Sequence, residues 1–342
     1  MANLTQAHRE LFRRSPDERF PSLGDLADHC RRQRESSVER WHLPQLLAPD
    51  RDSEQFRLQI GDDGGFLMND WSFTQLCGLA RVNKETVNRL SPETAGAVFR
   101  ETLPVGNKPR QILTSDDSVR SIHGVTYTRL WNSELLSVVQ EFATDFQPPQ
   151  QAATGGTGLY AGEQDLFVFL IDPAGWAEID GEAFAPGFFC WNSEVGKRSV
   201  GISTFWFQAV CANHIVWDAV EVVEFSRKHT ANVHAALSDI RRTLEQLVNR
   251  RDERRDGFVR VIQKAMQEKL GEDAEDVLRT LTSSGINRTL AKKALEIACQ
   301  TGGFTIFSVV DALTRLAGEI PNAGDRLAAD QKAASLLSLA AT

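Results

Sequence analysis

Between Trp191 and His214 the chain sets a polar, charged turn, Asn192-Ser193-Glu194-Val195-Gly196-Lys197-Arg198-Ser199, inside aromatic and β-branched sequence that includes Phe205-Trp206-Phe207. Residues 166–171, 187–191 and 200–210 are apolar with few interruptions. Runs of that kind belong to strands in a buried sheet. A polar turn between two of them is where a rigid framework presents a working surface. The turn matches no reaction template.

At 342 residues the chain exceeds a typical single core, so one large α+β domain with helical appendages, or two domains, is expected. No run approaches the roughly 18 apolar residues of a membrane span. Met1-Ala2-Asn3-Leu4-Thr5 lacks the basic and apolar regions of a secretory signal, which points to a cytoplasmic protein. Cys30, Cys77, Cys190, Cys211 and Cys299 are scattered and odd in number; they read as reduced thiols, mostly buried. A net charge of −8 argues against a uniform nucleic-acid coat. Residues 241–264 nevertheless hold eight basic side chains against four acidic ones, a pattern that reads as a solvated, ion-paired helix face.

Ser22 is a cap for a helix carrying Leu23 and Leu26. Residues 56–60 and 66–69 read as strands joined by the glycine-rich 61–65, which lacks the lysine of a phosphate-binding loop. Residues 71–100 read as helical, with Ser72 and Ser91 as caps. Strand character returns from 112 to 130 with a turn at Asp116-Asp117, and Asn132 or Ser133 opens a further helix. Residues 147–158 read as a flexible loop, and 215–225 as a strand pair. From about 230 the pattern is helical: Leu237, Ile240, Leu244 and Leu247 form a buried stripe suited also to a subunit contact, with Arg241, Arg251 and Arg255 exposed.

Several motifs carry a resemblance: Arg14-Ser15-Pro16-Asp17-Glu18-Arg19-Phe20, residues 120–131, Asn192-Ser193-Glu194-Val195-Gly196, Val210-Cys211-Ala212-Asn213, Arg227-Lys228-His229-Thr230 and residues 304–313. In this order they resemble the phage/plasmid-like family catalogued as domain of unknown function 932, over nearly the whole chain. His214-Ile215 departs from the glycine and apolar residue expected after Cys-x-Asn. The resemblance implies a protein of phages, plasmids and integrated elements, encoded among genes of DNA metabolism, and it supplies no catalytic residues.

Read as chemistry, Glu194 with Lys197 and Arg198 is either an anion or metal site with a general base, or a strand-connecting turn whose Asn192 and Ser193 satisfy the backbone. The expected geometry is a tight turn of Asn192, Ser193, Glu194 and Gly196 at the edge of a cleft. His123, His214 and His229 lack zinc spacing, and neither a metal nor a cofactor is expected. In 120–131, Tyr127, Arg129 and Trp131 share one face of the strand; exposed, that face would stack bases and grip phosphates, and covered it is core.

The reading that follows is an α+β fold, a mainly antiparallel sheet covered by helices on one side, with a helical C-terminal region. It divides into an N-terminal arm (1–45), an α+β core (46–228) and the helical region (229–342). The leading function is single-stranded DNA binding, annealing or recombination in mobile-element DNA metabolism. Its contacts would come from Arg120, Tyr127, Arg129, Trp131, Lys197 and Arg198, in a possible homo-oligomer with no membrane association. The alternatives are a non-enzymatic protein binding a host defence or replication factor or a phage DNA-metabolism protein, and an enzyme acting at the 192–198 turn.

Overall fold

The computed structural model describes residues 10–50, 55–62, 64–149, 158–209, 213–216, 225–301 and 303–341. Strand β1 (Glu18–Arg19) leads to helix α1 (Leu23–Glu35), whose first turn is capped where Ser22 Oγ accepts from the Asp25 N–H at 3.1 Å. Then come β2 (Ser37–His42), β3 (Leu47–Pro49), β4 (Arg57–Ile60), β5 (Gly65–Met68), α2 (Asp70–Ala80), α3 (Pro92–Thr102), β6 (Arg110–Ser115) and β7 (Ser118–His123). The strands form a six-stranded sheet ordered β2-β6-β7-β5-β4-β3, antiparallel except where β5 meets β7. β4 and β5 alternate between buried and half-buried positions, whereas β6 and β7 are buried along most of their length; Leu58, Ile60, Phe66, Ile112 and Val119 meet Phe73 and Leu76 of α2 and Phe99 of α3. Asn69 is the α2 cap, and Ser72 reciprocates from the third helical position.

After α4 (Asn132–Gln140) the chain forms β8 (Leu159–Ala161), β9 (Leu166–Ile171), β10 (Ala177–Ile179), β11 (Glu182–Asn192), β12 (Val200–Gln208), β13 (Asn213–Ile215) and β14 (Phe225–Arg227). With β1 they make an eight-stranded antiparallel sheet along β1-β8-β9-β11-β12-β13, with β10 beside β11 and β14 beside β12. The C-terminal helices are α5 (Ala235–Asn249), α6 (Arg251–Gln267), α7 (Ala274–Ser283), α8 (Arg288–Thr301), α9 (Ile306–Gly318) and α10 (Ala323–Ala334). The α+β class is therefore as expected, with the strands divided between two sheets.

The unbroken apolar runs have a simple cause: the larger sheet is covered on both faces, not on one. Leu166, Val168, Leu170, Phe188, Cys190 and Ile202 pack on α1, α4 and α5. Their neighbours Phe167, Phe169, Phe189, Phe205 and Phe207 face the other way, toward Ala323 and Leu327 of α10. With side chains alternating, both parities must be apolar. At one end Phe184, Trp206 and Ile215 join the core of the C-terminal helices, where Trp206 stacks on Phe258 at 3.8 Å. Gly187 sits where the strands leave no room: a Cβ there would overlap the Leu170 carbonyl and crowd the Phe205 ring at 2.6 Å.

The helical stripe is found in α5, where Ile240, Leu244 and Leu247 are buried and Leu237 is partly buried. It is spent inside the chain, against the large sheet and α4, which removes it as a subunit contact. Arg241 pairs with Glu141 at 2.6 Å and Arg250 with Glu253 at 2.9 Å, while Arg255 meets Asp252 and Asp256, so this basic segment is locally neutralised. Arg254 instead turns inward and donates to the Gly187 carbonyl at 3.3 Å. Cys30, Cys77 and Cys190 are buried, and burial pushes the Cys30 and Cys77 thiols up to about 12; Cys299 is exposed. Cys211, most of the expected loop at 147–158 and most of the expected strand pair at 215–225 lie outside the described residues. Among the described residues no helix is long and apolar enough to cross a membrane.

Candidate functional site

The polar turn joins β11 to β12 and is tight: the Gly196 N–H donates to the Ser193 carbonyl at 3.0 Å. Ser193 Oγ donates to the Gln164 carbonyl and accepts from the Lys197 N–H at 2.8 Å. Asn192 Nδ2 donates to the Leu130 carbonyl and to Asn132 Oδ1, both at 2.9 Å. Gly196 adopts φ +72°, and a Cβ there would lie 2.5 Å from His123 Cε1. Glycine is thus required both for the backbone and for the close approach of the His123 and Tyr127 rings.

Glu194 lies at the centre of this arrangement, only 1 % exposed. Its Oε2 accepts from Arg120 Nη1 at 2.9 Å, and its Oε1 from the backbone N–H of Asn132, the first residue of α4, at 2.8 Å. A cation and a helix N-terminus together satisfy the buried carboxylate. Its backbone carbonyl accepts from Tyr127 Oη at 2.7 Å and from Arg129 Nη1. Arg129 Nε continues to Glu39 Oε1 on β2 at 2.7 Å. The turn of the larger sheet is thereby tied to β2 and β7 of the smaller one.

Around this centre Tyr127 stacks on His123 at 3.6 Å and on His229 at 5.5 Å. Burial, assisted by the Arg129 charge, lowers His123 to about 3; burial lowers His229 to about 4. Both rings are neutral at pH 7, burial outweighing a backbone interaction of His229 with Thr128. Burial pushes the Tyr127 phenol above its usual range, which keeps it a hydrogen-bond donor.

Of the residues singled out in the sequence, Arg120, Tyr127, Arg129, Asn192, Ser193, Glu194 and Gly196 converge here. Their setting corrects the expectation of an exposed basic and aromatic strand. β7 ends at His123, so Tyr127, Arg129 and Trp131 lie beyond it and share no strand face. Arg120 and Arg129 are 7 % and 6 % exposed and paired with Glu194 and Glu39, so neither presents its charge at the surface, although Arg129 Nη2 has no hydrogen-bond partner among the described residues. Each Glu194 oxygen accepts a hydrogen bond from the protein and the carboxylate is buried, so it is not presented at the surface of the turn. Lys197 points outward over the Trp71 ring at 4.8 Å. Arg198 turns toward α10, pairs with Asp165 at 2.6 Å, and lines a cleft of about 380 Å³ with Trp191, Phe167 and Leu327. The four basic residues therefore do not share a surface.

Two cation–aromatic pairs flank the buried centre at the surface. Trp71, at the start of α2, donates from Nε1 to the Val195 carbonyl at 2.7 Å and carries Lys197. Trp131, beside Asn132, carries the Arg34 guanidinium at 5.3 Å. One helical turn beyond Trp71, Gln75 Oε1 accepts from the Ile122 N–H at 2.8 Å, and there α2 and the β6–β7 hairpin border a cleft of about 740 Å³ that also contains Arg81 and Arg110. Sequence reasoning missed Trp71, Arg34, Arg81 and Arg110, because each belongs to a segment with no local motif. No family model matches the chain, and neither curated proteins nor solved structures provide a match.

Proposed function

We propose that the protein binds single-stranded nucleic acid in the cytoplasm, in the DNA metabolism of a phage or plasmid, as the family resemblance implies. The observation that carries this reading is the pair of surface contacts in which an exposed cation lies over a half-buried tryptophan, Lys197 on Trp71 and Arg34 on Trp131; Trp71 is fastened to the turn, and Arg34 also pairs with Glu134 at 3.7 Å. Aromatic faces with adjacent cations stack bases and hold phosphates with little sequence preference. The rigid turn holds these side chains in place at low entropic cost to binding. The contacts are thus reassigned from the buried Arg120 and Arg129 to Lys197, Arg34, Trp71 and Trp131.

Binding of a labelled single strand, followed by fluorescence anisotropy across a salt series, tests this. Lys197→Ala should weaken binding similarly for all sequences and reduce the log–log salt slope by about one. Trp71→Ala should cost roughly 1–3 kcal/mol with little change in slope. Absence of binding at low salt and tens of micromolar protein would reject the reading. That outcome favours a protein partner instead, for which β2 is suited: among the described residues it is an open sheet edge, with Val38 48 % and Trp41 49 % exposed.

A further inference from the structure

We propose that the cleft between α2 and the β6–β7 hairpin binds a phosphate monoester, either the terminal phosphate of a strand or that of a free mononucleotide. The strand-end source rests on the nucleic-acid reading above; the free-nucleotide source does not. The chain carries 46 acidic against 38 basic residues, yet this cleft contains Arg81 and Arg110 and, among the described residues, no carboxylate in its lining. Among the described residues neither arginine side chain forms an ion pair or a hydrogen bond; Arg81 is exposed, and half-buried Arg110 has its Nε buried without a partner. A buried guanidinium nitrogen left unpaired is costly, and an oxyanion is the group that satisfies it. Two guanidinium groups match the charge of a phosphate dianion better than that of a single carboxylate.

The remaining walls fit a nucleotide. Gln75 spends its Oε1 on the Ile122 N–H, which leaves its amide Nε2 as a donor. Thr102 donates to the Val98 carbonyl at 2.7 Å and keeps its oxygen as an acceptor for a sugar hydroxyl. Leu79 and Ile122 provide apolar surface, and a cleft of about 740 Å³ lies within the usual range of small-molecule sites. Arg81 itself is held at φ +58°, at the helix C-terminus where glycine would be unstrained. An arginine there gains nothing for the backbone, so its side chain is what the position supplies.

The test uses the intact chain with four probes: adenosine monophosphate, adenosine, and one single strand with either a 5′-phosphate or a 5′-hydroxyl. Adenosine monophosphate should raise the melting temperature where adenosine does not, and the phosphorylated strand should bind several-fold tighter than the hydroxyl strand. Arg110→Met should abolish both differences, a loss of about tenfold or more in phosphate-dependent affinity. Arg81→Gly should weaken the same interaction while leaving the melting temperature unchanged or higher, which separates binding from folding should Arg110→Met be unstable. If adenosine monophosphate binds and neither strand does, the cleft stands with a free nucleotide as its ligand and the nucleic-acid reading falls. If both strands bind equally and adenosine monophosphate does not bind, the cleft proposal is overturned and the nucleic-acid reading stands. No binding of any probe overturns both.

Discussion

Glu194 and Arg120 are separated by 74 positions in the chain and meet at 2.9 Å in the interior. A buried pair is held by mutual compensation, so removing one charge strands the other. Glu194→Gln keeps the shape and leaves the Arg120 guanidinium without a counterion; it should destabilise the protein by about 3–5 kcal/mol in urea unfolding. A loss under about 1 kcal/mol would show that the pair does not hold the turn. At this scale the sequence marked the residues that converge and left open whether they are covered or exposed. Residue type and spacing point to Glu194, Arg120, Tyr127 and Arg129, but whether an arginine faces water depends on a partner in a distant segment. Lys197 and Trp71 show the converse: the contact that exposes them crosses from the β11–β12 turn to α2, and no window of sequence contains both.

Among the elements, strands with two apolar parities and helices with an apolar stripe were legible, because their periodicity reports burial directly. The caps at Ser22 and Ser91 were legible as well, whereas α2 is capped by Asn69 with Ser72 in the reciprocal position. What periodicity does not show is which polar residue an element carries inward. On α10, Asp330 is fully buried, and among the described residues its carboxylate meets only Arg326 Nε, at a long 3.5 Å. Burial outweighs that contact and raises the carboxyl to about 8, so the folded state holds its proton where the unfolded chain, at 3.8, has released it. Its contribution therefore declines as pH rises from about 4 toward 8. Asp330→Asn removes this loss. Its stability should match wild type below pH 4 and exceed it by on the order of a few kcal/mol at pH 7, read by denaturation across pH. Equal stability at both ends of that range would place the carboxyl in contact with water or an ion.

For the molecule as a whole, the seam between the two sheets is where His123, Tyr127 and His229 stack beside the turn. Both histidines sit below their ordinary 6.5, at about 3 and about 4, so between those values and 6.5 the unfolded chain binds more protons than the folded one. The stability they contribute is complete above pH 6.5 and is lost as pH falls toward 4, opposite in sign to the effect of Asp330. In the Asp330→Asn background, acidification from pH 7 to 4 should steadily lower stability, with hydrogen exchange rising first around β7 and the 193–199 turn. Because burial raises Glu163 to about 7 and its contribution opposes theirs, the local readout decides: hydrogen exchange at β7 and the turn that does not rise between pH 7 and 4 would show the histidines to be hydrated. The sequence by itself determined the α+β class, the strands apolar at both parities, the helical C-terminal region and the tight turn at 192–198, since each is written in local periodicity and turn chemistry. Only the tertiary structure decided that the strands divide into two sheets, that Arg120 and Arg129 are buried partners of acids, and that Arg81 and Arg110 share a cleft free of carboxylates. Those outcomes depend on contacts between segments tens of residues apart, where the energy of pairing a buried charge, rather than any local preference, selects the arrangement.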